Sequence, residues 1–378
     1  MNKKERIEAA ITGKAVDRIP WTAYKSIPPW GEAEFGLRSE GLTWLYQHFP
    51  ISTLTIPTVE VIDTATYTVK GKSGKNSILR KFVTPVGDIS VRHEFFNNSI
   101  PGPGDLIQRF GAGIETESLS WVTEHPFKTE ADYEVLEYIY NNFEFHDNSE
   151  EFLFTEKIIG TEGFTFANMG KSPFQILLYE LMGAENCYLE YYSNPKKFRK
   201  LYEVLYTKMK QKYELAANSA APLCWSPENL TSVLTPPGFF KEFYMPFYNE
   251  MADILHKKGK LFAIHMDGKL DALKELIGQT KIDIIEAFTP LPMGDMSALD
   301  ARKAWPEKVI WINFPGTLIA TYSTERIKEY TINMLKSVAP GDKFLIGCTE
   351  SFPVDKWGKA FKGIEQAIKE SGIYPIKQ

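Results

Sequence analysis

Four short runs decide the fold: KLFAIH (residues 260–265), IDIIE (282–286), VIWIN (309–313) and KFLIGC (343–348). Each is a nearly unbroken apolar stretch, and the stretches between them, Lys269–Gly278, Ser297–Lys303 and Thr324–Ser337, carry helical spacing. Apolar runs without polar alternation suit strands buried on both faces, and strands alternating with helices predict a parallel sheet with covering helices. Working outward, Ala221–Trp225 reads as another such strand, followed by a helix over Pro237–Lys258. Lys157–Gly160 reads as a strand before helices at Pro173–Gly183 and Pro195–Ala217; Ile51–Ile56 and Ile19–Ala23 read as two more, and a last helix covers Val354–Ser371. Those strands total eight, the number that closes a (β/α)8 TIM barrel. An open doubly wound sheet competes, but no GxGxxG follows a strand.

The expectation is therefore one α/β domain over residues 1–378, a barrel with N-terminal helical and hairpin elaborations. A helix over Lys3–Gly13 ends on Gly13 as its cap, and Thr129 stands as N-cap of a helix from Glu130 to Asn141. Residues 65–95 alternate in short β-type runs broken by Gly71, Gly74, Asn76 and Gly87, which predicts an inserted hairpin. It would serve as a lid over the barrel mouth or as the contact between two copies in a homodimer.

Composition narrows the function. With 43% hydrophobic and 24% charged residues the chain is ordinary for a globular protein, and a net charge of −5 argues against a nucleic-acid surface. No apolar run reaches the ~20 residues of a membrane helix. The start, MNKKERIEAA, lacks the apolar core of a secretory signal, so a cytoplasmic location is expected. Three widely spaced cysteines, Cys187, Cys224 and Cys348, make no disulfide scaffold and suit a reducing compartment.

Barrel enzymes place their chemistry at the C-terminal ends of the strands. Here the ends carry Glu228, then His265 and Asp267, then Glu286, Asn313 and Cys348. His265 and Asp267 are two apart, so an extended backbone turns both to one side. His, Cys and carboxylate are zinc ligand types, and a catalytic zinc takes three protein ligands and keeps one open position. His265, Glu286 and Cys348 meet that count, with Asp267 either a fourth ligand or the acceptor that orients the imidazole. Glu228, Asp267 and Asn313 are the candidate catalytic side chains. Singly, a histidine at a strand end is an ordinary hydrogen-bonded residue and Cys348 a small buried hydrophobe. Trp225, Phe288, Phe314 and Phe352 lie at strand ends, where they line an apolar pocket or cap the core.

Several short signals recur in order. They are Arg6-Ile7-Glu8-Ala9-Ala10, Gly13, Asp17-Arg18-Ile19-Pro20, Thr84-Pro85-Val86-Gly87, Thr235-Pro236-Pro237 with the Phe243–Pro246 helix, and Gly347-Cys348. With them the chain resembles the uroporphyrinogen decarboxylase superfamily over most of its length. In the decarboxylase branch, which works without a metal, an arginine-rich motif of the type RQAGRYLP holds substrate carboxylates. Here the matching stretch, Trp21 to Pro29, has no arginine. A tetrapyrrole with many carboxylates needs such cations. The other branch holds zinc-dependent methyltransferases that exchange methyl groups with a corrinoid protein, with His-x-Cys on one strand and Cys at the end of the last.

His265 and Cys348 match that branch in placement, and Glu286 falls where a related methionine synthase barrel has its Glu. Asp267 replaces the first Cys. The resemblance thus implies Zn2+ on His265, Glu286 and Cys348. It implies a small methylated substrate, such as an O-methyl compound, and cobalt of a corrinoid on a separate protein as the other methyl carrier. An oxygen ligand in place of a thiolate makes a harder zinc, which suits an ether or alcohol leaving group. Two other readings stand beside it. One is a metal-free decarboxylase or lyase working through Glu228, Asp267 and Glu286; the other is a non-catalytic barrel that binds a small aromatic ligand.

Overall fold

In the computed structural model, which describes residues 1–24, 32–48, 51–55, 59–66, 77–95, 120–350 and 356–377, eight parallel strands close into a barrel in chain order. They are β1 (Trp21–Tyr24), β2 (Leu42–His48), β3 (Gly163–Asn168), β4 (Leu223–Ser226), β5 (Leu261–His265), β6 (Ile284–Phe288), β7 (Val309–Asn313) and β8 (Phe344–Cys348). β1 closes the barrel by pairing with both β8 and β2. The expected TIM-type (β/α)8 barrel is the observed architecture.

Two of its strands are not the ones the sequence suggested. Ile51–Thr55 is a strand, but it pairs antiparallel with Phe143–Asp147 outside the barrel. Lys157–Gly160 is the end of a helix, Ser149–Ile159, which Gly160 terminates at φ 57. The Ile158-Ile159 doublet imitates a strand, yet Ile158 is exposed. β2 and β3 take the two vacant places. The helix after residue 129 also begins later, at Asp132, because the Asp132 carboxylate accepts the N–H groups of Lys128 and Thr129. Thr129 is therefore not the capping side chain.

The chain divides into two compact units. The first is Met1–His48, Ser149–Asn168 and Ala220–Gln378, and it holds the whole barrel. Its interior stacks Phe164, Phe166, Trp225, Ala263, Ile284, Trp311 and Leu345. The N-terminal helix Lys3–Ile11 adds Ile7, Ala10 and Ile11 to the same cluster. That helix starts in a capping box between Asn2 and Glu5, and the turn after it reaches Gly13 at φ 71, as expected of a C-terminal glycine. Where β5 and β7 begin, Lys260 and Lys308 bury their ammonium groups on backbone carbonyls of Ala221, Thr280 and Ile282. Those contacts brace the N-terminal ends of the strands.

The second unit is Phe49–Asn148 and Met169–Ser219. It carries a four-stranded antiparallel sheet, Glu60–Thr66, Ser77–Thr84, Gly87–Phe95 and Ser120–Glu124 in that order, in which Ser77–Thr84 and Gly87–Phe95 pair as a hairpin within the stretch 65–95. Residues 67–76 of it lie outside the described residues. The Thr84–Gly87 turn is tied by the Thr84 hydroxyl donating to the Gly87 carbonyl at 2.6 Å, with Gly87 at φ 138. Among the described residues no helix is long and apolar enough to cross a membrane.

Candidate active site

The ends of β5 and β6 are in direct register, His265 opposite Glu286. Just beyond Glu286 the β6–β7 register shifts between Ile285 and Phe288, and Ala287 takes φ 55. A bulge of this kind re-aims the neighbouring side chain, and an L-residue in that conformation costs about 1–3 kcal/mol that the surroundings must offset. The Ala287 carbonyl accepts a hydrogen bond from Thr289 Oγ1 at 3.1 Å. The outcome is a buried carboxylate with three donors. Glu286 Oε1 accepts from the Tyr24 hydroxyl at 3.0 Å, and Oε2 accepts from Trp225 Nε1 at 2.7 Å and His265 Nδ1 at 2.7 Å. Trp225 also meets Tyr24 and His265 edge to face, with centroids 6.2 and 5.7 Å apart.

That arrangement sets the charge on His265. Burial alone would drive its pKa down, but the Glu286 carboxylate and then Asp267 outweigh burial and push it up to about 10. The ring is an imidazolium at neutral pH. Nδ1–H is spent on Glu286, and Nε2 faces Asp267 Oδ2 at 3.7 Å. The Asp267 side chain is 28% exposed, so the Nε2 edge leads toward solvent while the Glu286 edge, at 2%, does not.

The loop that carries Asp267 is held by its neighbour. Gly268 N–H donates to Leu230 O at 3.1 Å, and Ser232 N–H to Lys269 O at 2.8 Å, which ties the segment after β4 to the segment after β5. A Cβ on Gly268 would stand 2.3 Å from Thr231 Cβ and 2.6 Å from Leu230 O, so only glycine permits the approach. Glu228 lies in the same β4 segment. It is fully buried and accepts from Ser226 Oγ at 2.6 Å.

Asn313, at the end of β7, is also fully buried. Its Oδ1 accepts the Thr349 N–H at 3.1 Å, and its Nδ2 donates to Glu350 Oε1 at 2.8 Å and to Thr289 Oγ1 at 3.0 Å. Cys348 is 1% exposed. Along β8, Leu345 joins the barrel interior and a Cβ on Gly347 would meet the interior Trp311, so Cys348 falls on the opposite parity of the strand. Burial and the nearby Glu350 charge raise its thiol pKa and keep it protonated.

These facts bear on zinc. The sequence candidates His265, Glu286 and Asp267 share one place, but Glu286 has both oxygens engaged and Cys348 lies on the other parity. Among the described residues no three His, Cys, Asp or Glu groups stand within reach of one metal ion. His265, Glu286 and Cys348 as placed do not fit zinc as a set. Glu286 takes the part that the sequence reading left open for Asp267, holding the imidazole from behind. Of the four aromatic residues expected at strand ends, Trp225 belongs to the site. Phe288 and Phe314 pack edge to face on Trp305 and Tyr330, and Phe352 lies outside the described residues.

A barrel of this topology with an acid–base cluster on its strand ends fits many enzyme families, and comparison with known proteins selects one. Residues 108–351, well over half of the chain, match the family described as uroporphyrinogen decarboxylase (URO-D). The chain belongs to the uroporphyrinogen decarboxylase family. The family accounts for the barrel and makes the chain an enzyme by kinship. No curated protein matches this member's sequence. Among solved structures, a GH5 xyloglucan-specific beta-1,4-glucanase from a ruminal metagenomic library resembles it over 62% of this chain and 81% of that one, at 6% identity and a TM-score of 0.34.

Three participants escaped the sequence reading. Tyr24 is one residue past the expected end of the first strand. Glu350 is two past Cys348, the same spacing that drew notice to Asp267 after His265. Thr289 gave no signal at all.

Proposed function

We propose that this family member removes a methyl group from a small O-methyl compound and passes it to the cobalt of a corrinoid carried by a separate protein. The observation that carries the reading is His265, a buried imidazolium clamped at Nδ1 by Glu286 with its Nε2 edge toward the partly exposed Asp267. When an O–CH3 bond breaks with its electron pair left on oxygen, that oxygen needs a proton. His265 Nε2–H supplies it, Glu286 holds the ring, and Tyr24 and Trp225 hold Glu286. The reduced corrinoid cobalt accepts the methyl group. General acid assistance of this type contributes ~10²–10⁴-fold.

The charge pattern favours a neutral substrate. Asp267, Glu286 and Glu350 all act on the one imidazole of His265, a local excess of negative charge that would repel the many carboxylates of a tetrapyrrole. Bidentate arginines suited to such a substrate do not occur in the Trp21–Pro29 stretch.

The test supplies the purified chain with chemically reduced cobalamin and a panel of small methyl ethers, following the demethylated alcohol and the corrinoid spectrum. Turnover in the wild type that falls by ~10²-fold or more in His265→Ala supports the reading. Carbon dioxide release from a carboxylate substrate without corrinoid would move the assignment to a metal-free decarboxylase. Elemental analysis belongs to the same experiment. About one zinc per chain, lost in both His265→Ala and Cys348→Ala, would show that metal binding rearranges these strand ends and would restore the zinc reading.

A further inference from the structure

The far side of the strand-end cluster holds a carboxyl group that this chemistry does not use. Glu350 is fixed at one oxygen only. Asn313 Nδ2 donates to Oε1 at 2.8 Å, and the same Asn313 grips the loop through the Thr349 N–H at 3.1 Å. A hydrogen-bonded chain runs from the Ala287 carbonyl through Thr289 Oγ1 and Asn313 Nδ2 to Glu350, wiring the ends of β6, β7 and β8 together. Glu350 Oε2 has no hydrogen-bond partner among the described residues. It stands 3.1 Å from where a Cβ on Gly316 would be, so the absence of a side chain there makes its room. Its bond to Asn313 at the end of β7, and through Asn313 to Thr289 just past β6, places it at the C-terminal strand ends that also carry His265.

Resting on the methyl-ether reading above, we infer that Glu350 is a specificity-determining residue that binds a hydroxyl group on the substrate through Oε2, with Asn313 as its positioning residue. The preferred substrate class is then a methyl ether that also carries a free hydroxyl. A carboxyl group held through one oxygen offers the other to a hydroxyl, and a site built to bond a substrate hydroxyl rejects the analogue that lacks it.

The matched probes are 2-methoxyethanol and 1-methoxypropane, which differ by a hydroxyl in place of a methyl. Wild type should favour the hydroxy ether by roughly 10–100-fold in kcat/KM, as one charge-assisted hydrogen bond allows. Glu350→Ala should abolish the preference by raising KM for the hydroxy ether well beyond any change on 1-methoxypropane. Asn313→Asp keeps an acceptor for the Thr349 N–H but cannot donate to Glu350, so it should lose most of the preference while the loop stays in place. Equal loss on both ethers in Glu350→Ala, or no preference in wild type, would overturn the inference. If wild type turns over neither ether, the methyl-transfer reading fails by itself. Equilibrium binding of the two ethers to wild type and Glu350→Ala then decides the role of Glu350: tighter hydroxy-ether binding that vanishes in the variant supports it, and equal or absent binding refutes it.

Discussion

Replacing Glu286 by glutamine should uncouple His265 from its charge without changing the shape of the site. The carboxylate accepts three hydrogen bonds, at 2.7, 2.7 and 3.0 Å, and is 2% exposed. An amide has one oxygen for those donors and turns its own N–H groups on the rest. Breaking a buried ion pair on one side typically costs about 3–5 kcal/mol. The titration gives a ceiling from another direction. His265 rises from 6.5 to about 10 in the folded chain, and at about 1.4 kcal/mol per unit that coupling amounts to at most roughly 5 kcal/mol. The sign follows from linkage. A raised histidine stabilises the fold fully below its unfolded value and loses that stabilisation as pH climbs from 6.5 toward 10.

Urea unfolding across pH 6–10 reads this directly. Wild type should lose stability over that range with a slope of up to about 1.4 kcal/mol per pH unit. Glu286→Gln should start lower and show a much flatter decline, because its imidazole is already neutral over most of the range. Methyl transfer in the variant should fall by ~10²-fold or more at pH 7. A Glu286→Gln protein with wild-type pH dependence of stability would refute the account of how His265 is charged.

Other perturbations have defined outcomes. Gly268→Ala drives a Cβ to 2.3 Å from Thr231 and should lower thermal stability by about 1–3 kcal/mol while leaving the far strands' chemistry to be read separately. All three cysteines are buried, with thiols raised by burial, so a thiol reagent at pH 8 should label none of them before unfolding and all three after. Cys348→Ala should change stability by about 1–2 kcal/mol and turnover by less than about threefold, since the thiol lies off the His265 cluster; loss of activity with the fold intact would point back to a metal-bound thiolate.

The C-terminal half of the barrel was legible in order. β4 to β8 are short, continuously apolar runs because both of their faces are buried, and such runs announce themselves within five or six residues. β2, LTWLYQH, and β3, GFTFAN, mix polar and apolar residues and carry no such signal, while the Ile158-Ile159 doublet imitates a strand where the chain forms a helix end. The apolar runs and the barrel strands agree in number because two runs outside the barrel, Ile51–Thr55 and the Ile158-Ile159 helix end, stand in for β2 and β3. His265, Asp267 and Glu286 could be nominated from the sequence because strand ends in a parallel barrel share one face, and that face follows from local periodicity.

What no local pattern contains is the closing of the barrel and the aim of each side chain once it is closed. Tyr24 and Glu286 are 262 positions apart and meet only because the closed barrel sets β1 across from β6. Glu286 became the clamp of His265 through a bulge at Ala287, a backbone choice made by β6 and β7 together. Cys348 falls on the other parity because β8 turns Leu345 and Gly347 to the interior, where Gly347 passes close to Trp311 and Ile312. Residue types and their order along the strands were properties of the chain alone. Which of them touch, and therefore which carry charge, depended on distances that arise only when sequence-distant strands pack, because hydrogen bonds and Coulomb terms act over a few ångströms and are blind to sequence separation.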